Sequence, residues 1–173
     1  EFIRSEYENK LVATFVVQEP RLGLAHAISL CQSYVEHDEE LLISLGDIIV
    51  DVPVEELIFS SDNILAVHKV DNPSSFGIAL LNDSGYIKSL VEKPDIPKSN
   101  LALVGLYKIV TVHSFFESLR YIMTNGIKSH QEFHLTDVLM HLINQGIQIK
   151  ACTVKRWFDC GHKEVLLESN RLL

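Results

Sequence analysis

The stretch that decides the fold is LLISLGDIIVD, at residues 41–51. Its first five residues form an almost continuous apolar run, which is too short for a helix and too apolar for a strand with one face in water. Such a run is typical of a strand buried on both faces, as in a parallel sheet covered by helices. Gly46 then lets the chain turn, and Asp47 follows at the carboxyl end of the strand, where open α/β sheets bind their ligands.

Asp47 has two interpretations on this pattern alone. A carboxylate in this place suits a hard cation such as Mg²⁺, or a phosphate-bearing ligand held through one. An aspartate can also start a turn without binding any ligand. Asp159 presents the same choice, because it lies in a turn that ends in Gly161 and follows a predicted strand. Two such carboxylates could hold one Mg²⁺ between them if the fold brings them together.

The composition restricts the class of protein. The 173 residues carry a formal net charge of −8 and no block of Lys and Arg, which argues against a nucleic-acid-binding surface. A hydrophobic share of 47% is usual for a globular domain, and no apolar run approaches the roughly 20 residues that span a membrane. An odd number of cysteines without metal-ligand spacing predicts reduced thiols, and therefore a cytoplasmic protein.

The flanking patterns predict a single α/β domain over residues 1–173 with a mixed sheet. Residues 11–17 are rich in β-formers and residues 24–37 show helical spacing, so strand, helix and strand form a βαβ unit. Turn residues at 82–85 predict a β-hairpin. The other predicted elements are helices at 1–9, 54–59, 113–121, 135–145 and 162–172, and strands at 64–70, 77–81, 86–91, 101–110 and 147–154.

Two further pairs of residues lie beside loops. Glu92 can bind sugar hydroxyls and Lys93 can bind a phosphate, although a solvated pair at a strand end is the alternative. Gln18 can read the edge of a nucleotide base and Gly23 lets a flat base approach the backbone, although a plain loop before a helix is the alternative.

The histidines suggest no site of their own. They fall at no metal-ligand spacing, and we interpret His26, His134 and His141 as structural or surface residues of helices. The sequence also contains no GxSxG, P-loop or GxGxxG motif.

Six stretches, taken in their order and spacing, resemble the sugar-1-phosphate nucleotidyltransferase family, and most closely its glucose-1-phosphate thymidylyltransferase branch. Together they run across nearly the whole chain. They are QEPRLGLAHAI at 18–28, LGD at 45–47, FG at 76–77, EKPDIPKSNLALVGLY at 92–107, EFHLTD at 132–137 and WFDCGHKEVLLESNRLL at 157–173.

The resemblance implies a three-layer, Rossmann-like fold with a mixed, mostly parallel sheet. It also implies a reaction in which a sugar-1-phosphate oxygen attacks the α-phosphorus of a nucleoside triphosphate and pyrophosphate leaves. The expected substrates are dTTP and glucose-1-phosphate, and the expected cofactor is Mg²⁺. The implied site residues are Asp47 and Asp159 for the metal, Gln18 and Gly23 for the nucleotide base, and Gly77, Glu92, Lys93 and Leu103 for the sugar phosphate.

The sequence departs from the family pattern in two ways. The family's GGxGTRxxP loop, which cradles the triphosphate and supplies a catalytic Arg, has no counterpart in these residues. We therefore expect little turnover from them alone, and a non-catalytic sugar-nucleotide-binding domain is the alternative. A missing first strand would expose the sheet, so we also expect a homo-oligomer. Ile48 and Phe76 replace the Asn and Tyr that are common in the family, which leaves the choice of sugar open.

Overall fold

The computed structural model describes residues 2–7, 10–36, 39–161 and 163–172. Within them, helices and strands alternate along most of the chain. The helices are α1 (Phe2–Tyr7), α2 (Leu24–Ser29), α3 (Val54–Phe59), α4 (Val112–Thr124), α5 (Leu135–Asn144) and α6 (Lys163–Leu172). The strands are β1 (Leu41–Ser44), β2 (Ile48–Asp51), β3 (Asn63–Lys69), β4 (Gly77–Leu81), β5 (Ile87–Glu92), β6 (Leu101–Ile109), β7 (Ile149–Thr153) and β8 (Arg156–Asp159).

Strand β6 is the centre of the larger sheet, and eight of its nine residues are buried. The strand order is β5-β4-β6-β3-β7, and β1 pairs with β6 beside β4. Among the described strands of this sheet, β1, β3, β4 and β7 run in one direction, and β5 and β6 run in the other. The predicted mixed sheet is therefore confirmed, with the parallel ladder between β3 and β7.

Both faces of this sheet are covered. Alternate residues of β3 point to opposite faces, so that Leu65 and Val67 join the core beneath α4 and α5, while Ile64 and Ala66 join a smaller core that includes Leu57 of α3. Leu135, Val138, Leu139 and Leu142 give α5 its buried side. None of the described helices combines the length and apolar character that crossing a membrane requires.

The predicted strand at residues 11–17 is wrong. Val12 and Val17 are 99% and 76% exposed, and none of the described strands pairs with this segment. β-rich composition favours a strand only where a neighbouring strand offers a ladder to pair with. The predicted βαβ unit therefore does not form. The helix expected at 24–37 is also too long, since α2 ends at Ser29 and a 3₁₀ turn follows at Gln32–Tyr34.

Strand β1 lies at the expected place but not in the expected environment. It runs antiparallel to β6, and Leu42 is 54% exposed, so the strand is not buried on both faces. The turn predicted around Asp159 is wrong in part as well. Asp159 is the last residue of β8, which pairs antiparallel with β2 in a separate two-stranded ribbon. The predicted ends at residues 1, 8, 9, 37 and 162 lie outside the described residues.

Candidate functional site

The ribbon of β2 and β8 brings the two predicted metal-binding aspartates together. Ile48 lies opposite Asp159, and the backbone N–H of Cys160 donates to the carbonyl oxygen of Asp47 at 2.8 Å. A Cβ atom placed on Gly161 would lie 3.1 Å from Asp159 Oδ1 and 3.3 Å from Asp47 Oδ2. The two carboxylate oxygens are therefore at most about 6.4 Å apart, and both lie beside Gly161.

Two carboxylates this close together suit a hard cation. Carboxylate oxygens are preferred ligands of Mg²⁺, which usually keeps several waters and binds substrate phosphates as well. In the described part of the chain no group of three or more His, Cys, Asp or Glu side chains could hold a metal by itself. Water and phosphate oxygens would complete the shell. Asp159 Oδ1 also accepts from the Gly161 N–H at 3.1 Å, so this carboxylate caps its own turn too.

All four predicted sugar-phosphate residues line one cleft of about 210 Å³. The cleft opens where β4 begins, β5 ends and α5 begins, with β6 between them. Larger surface clefts border α4 but contain none of the predicted site residues. The lining includes Gly77, Glu92, Lys93 and Leu103, together with Tyr107, His134 and Thr136.

A short hydrogen bond holds the Glu92 carboxylate where it borders this cleft. Its Oε2 accepts from Thr136 Oγ1 at 2.6 Å. Gly77 lies opposite Glu92 in the hairpin, and a Cβ atom there would come within 3.0 Å of Oε2 and 3.2 Å of Thr136 Oγ1. Any side chain at position 77 would therefore crowd the space in which this carboxylate lies.

Lys93 turns the chain away from β5. Its φ of 40° is a left-handed conformation that non-glycine residues seldom adopt, and its N–H donates to the carbonyl of Phe76 at 3.0 Å. Adjacent residues of a regular strand point to opposite faces. The left-handed turn lets Glu92 and Lys93 border the same cleft.

Burial and nearby charges shift the pKa of two residues in or near the cleft, Tyr107 and Asp137. Burial raises the pKa of the Tyr107 hydroxyl far above its usual value, and the nearby charge of Glu92 raises it further, so that Tyr107 stays protonated. Burial also raises the pKa of the Asp137 carboxyl. The hydrogen bond from Ser129 and the charge of His134 act in the opposite direction on that pKa.

The ribbon and the cleft are in contact through two aromatic rings. Trp157 of β8 lies two residues before Asp159, and Phe76 lies directly before Gly77. Their ring centroids are 5.1 Å apart in an edge-to-face arrangement. The aspartate pair and the cleft are thus neighbours in the structure.

The sequence model of the nucleotidyl transferase family matches residues 1–173. The chain belongs to this family. It is 34% identical over 166 residues to a glucose-1-phosphate thymidylyltransferase of Streptomyces antibioticus, covering 91% of this chain and 45% of the relative. Identity to the low-salt glycan biosynthesis nucleotidyltransferase Agl11 of Haloferax volcanii is 35% over 166 residues, covering 92% and 45%. The chain thus spans less than half the length of these relatives.

Solved nucleotidyltransferase structures share the fold. A Bacillus anthracis structure named as a glucose-1-phosphate thymidylyltransferase, in complex with sucrose, superposes with a TM-score of 0.79 and 27% identity, covering 99% of this chain and 69% of that one. A UDP-glucose pyrophosphorylase complexed with UDP-glucose gives a TM-score of 0.73 and 25% identity, covering 92% and 64%.

The two residues predicted to hold the base lie together but outside the cleft lining. Gln18 Nε2 donates to the Gly23 carbonyl at 2.9 Å and lies 2.9 Å from His26 Nδ1. Gly23 has a φ of 107°, and a Cβ atom there would lie 2.6 Å from the Phe133 carbonyl oxygen. Backbone packing thus requires glycine at this position, and base binding by Gln18 and Gly23 remains a prediction.

Sequence reasoning missed several residues of the cleft wall, and three of them bear on its chemistry. His134, which we interpreted as structural or as a surface residue of a helix, borders the cleft beside Glu92. Thr136 and Tyr107 line it as well. All three lie inside the EFHLTD and EKPDIPKSNLALVGLY stretches that carry the family resemblance, and this was the signal that could have singled them out.

Proposed function

We propose that these residues form the sugar-phosphate and metal part of a nucleotidyltransferase that joins a nucleoside monophosphate to a sugar-1-phosphate. The observation that carries the proposal is the convergence of Gly77, Glu92, Lys93 and Leu103 on one cleft. The Phe76–Trp157 contact places this cleft beside the aspartate pair.

Each group has a defined task in this proposal. Glu92 accepts hydrogen bonds from sugar hydroxyls, and the Lys93 ammonium attracts the sugar phosphate. Asp47 and Asp159 would hold Mg²⁺, which supplies charge neutralisation at the phosphate oxygens of the triphosphate. The Tyr107 hydroxyl remains neutral beside Glu92 and adds no competing charge.

We further propose dTTP and glucose-1-phosphate as the substrate pair, giving dTDP-glucose and pyrophosphate. Identity of 34% to the glucose-1-phosphate thymidylyltransferase of Streptomyces antibioticus supports this choice. The chain is also 34% identical to the bifunctional protein GlmU of Methanocaldococcus jannaschii, which makes a panel of bases and sugars the right first assay.

A second candidate is a binding domain without turnover. It is favoured by one observation, that no GGxGTRxxP-like run occurs within the 173 residues. In the family pattern this loop supplies the triphosphate cradle. We therefore expect these residues by themselves to bind sugar phosphate while releasing little pyrophosphate.

Calorimetry and a pyrophosphate-release assay test the proposal together. Glucose-1-phosphate, other hexose-1-phosphates and inorganic phosphate are titrated into the chain with Mg²⁺, and dTTP is added for turnover. Glu92→Gln should weaken hexose-1-phosphate binding about tenfold, because a charged hydrogen bond is lost. The matched control is Glu55→Gln on the exposed side of α3.

The outcomes separate the candidates. Binding with little pyrophosphate release supports the domain without turnover, and release at an enzyme's usual rate supports the complete reaction. Hexose-1-phosphate affinity no greater than that of inorganic phosphate, and unchanged in Glu92→Gln, would rule out a sugar-phosphate cleft.

A further inference from the structure

The side chains of Glu92 and His134 lie next to each other in the wall of the cleft. The Oε2 atom of Glu92 is occupied by the hydroxyl of Thr136, so Oε1 is the oxygen nearest the imidazole. Glu92 Oε1 and His134 Nδ1 are 3.8 Å apart, and the two side chains are 12% and 15% exposed. That separation is too long for a direct hydrogen bond.

The backbone on either side of His134 is fixed. Phe133 donates to the Leu22 carbonyl at 2.8 Å and accepts from the Ala25 N–H at 3.0 Å. His134 itself is the N-cap residue of α5, and its carbonyl accepts from Asp137 N–H at 3.2 Å. The imidazole is thus carried beside Glu92 by a backbone that is hydrogen-bonded on both sides of the ring's attachment point.

A ligand hydroxyl oxygen can contact both polar atoms without lying in line between them. At about 2.8 Å from each atom it would sit beside the Oε1–Nδ1 pair, where it can bond to both at once. Such a hydroxyl donates its proton to the Glu92 carboxylate and accepts from Nδ1–H of the imidazole. A deoxy carbon can do neither, and an ammonium group can donate but cannot accept.

The other ring nitrogen supports this tautomer. Nε2 of His134 is buried and has no hydrogen-bond partner in the described residues. A buried N–H without a partner is rarer than a buried acceptor without one, so we assign the proton of the neutral ring to Nδ1, opposite the carboxylate. In this form the imidazole presents its donor toward Glu92 and toward an oxygen beside the pair.

We propose that Glu92 and His134 bind a single sugar hydroxyl between them, with the carboxylate as acceptor and Nδ1–H as donor. This inference rests on the proposed function and makes His134 a specificity-determining residue of the sugar-phosphate cleft. It predicts preference for a hydroxyl over hydrogen or an amine at one ring position.

A hydroxyl scan tests the inference directly. Hexose-1-phosphate and its 2-, 3-, 4- and 6-deoxy analogues are titrated into wild type, His134→Ala, His134→Gln and Glu92→Gln. We expect one analogue to bind wild type about tenfold more weakly than the parent sugar phosphate. His134→Ala should discriminate between the parent and that analogue less than wild type does, by about threefold, because the bond to Glu92 remains while the bond from Nδ1–H is lost.

His134→Gln serves as the conservative variant, because its amide N–H can replace part of the lost donor. It should retain more discrimination than His134→Ala. The matched control is His113→Ala, whose side chain is 66% exposed on α4, and which should discriminate like wild type.

Two results would overturn the inference. One result is that each deoxy analogue loses the same affinity in wild type and in His134→Ala, while Glu92→Gln still weakens binding of the parent sugar phosphate. His134 then only lines the cleft, and the proposed function stands. If wild type binds no hexose-1-phosphate, the proposed function and this inference both fail.

Discussion

The buried ammonium of Lys108 binds the carboxylate of Glu40, which is itself 57% exposed, at 2.9 Å. The same ammonium donates to the carbonyl oxygens of Ile58 and Ser60, the latter at 2.6 Å. Glu40 directly precedes β1, and the two carbonyls lie at the end of α3. Lys108 therefore joins both ends of the segment that carries Asp47.

Removing this lysine should loosen that segment. Lys108→Met keeps the length of the side chain but leaves two carbonyls without their donor, and we expect the free energy of unfolding to fall by about 1–3 kcal/mol. Denaturant titration measures it. Lys69→Met, at an exposed end of β3, is the matched control. An unchanged midpoint for Lys108→Met would show that water replaces the ammonium without cost.

Gly77→Ala should damage the cleft more than the fold. The added methyl group would press on Glu92 Oε2 and Thr136 Oγ1, so the carboxylate must move. We expect about a tenfold loss of hexose-1-phosphate affinity by calorimetry, since one charged hydrogen bond is displaced. Gly46→Ala is the control, because no atom lies within 4 Å of its Cβ position. Equal affinities for the two variants would contradict the tight packing around Glu92.

The stability of the fold should depend on pH through Asp137. Burial raises the pKa of this carboxyl in the folded state above its unfolded value, so the protonated form is favoured on folding. That contribution is fully present below the unfolded pKa and is lost as pH rises through the folded pKa. Asp137→Asn should therefore gain melting temperature relative to wild type at pH 7, and the gain should shrink toward pH 4. A gain that is equal at both pH values would contradict the raised pKa.

Self-association remains a prediction with a clear surface to test. Several large apolar side chains of residues 11–17 are exposed, as are Leu42 of β1 and Phe59 of α3. Exposed apolar side chains of this size favour association when a second copy can cover them. Light scattering should show a dimer or larger species whose fraction rises with protein concentration. Val12→Lys together with Leu42→Lys should reduce it, and a monomer at all concentrations would refute the prediction.

The sequence was most informative where an element carries its own pattern. The long apolar run of β6, the one-sided apolar spacing of α5 and the turn residues between β4 and β5 each predicted the observed element. The family resemblance, rather than spacing, brought Asp47 and Asp159 together. Nothing in two distant stretches of chain predicts that their ends will be neighbours.

The errors share a physical origin in pairing partners that lie far along the chain. Strands β2 and β8 have four residues each and, among the described strands, pair with each other alone, so neither has a local signal of sufficient length. Residues 11–17 have the composition of a strand, but none of the described strands offers them a ladder. We interpreted His134 as a structural or surface residue of a helix, whereas it is the N-cap residue of α5 and borders the cleft.

The edge-to-face contact between Phe76 and Trp157 also gives the molecule an intrinsic fluorescent probe. Trp157 is the sole tryptophan of the chain, so the indole emission reports from the boundary between the cleft and the aspartate pair. A ligand that enters either side changes the surroundings of one fluorophore. Occupancy of the two sides can therefore be followed by titrating each ligand separately, without attaching a label.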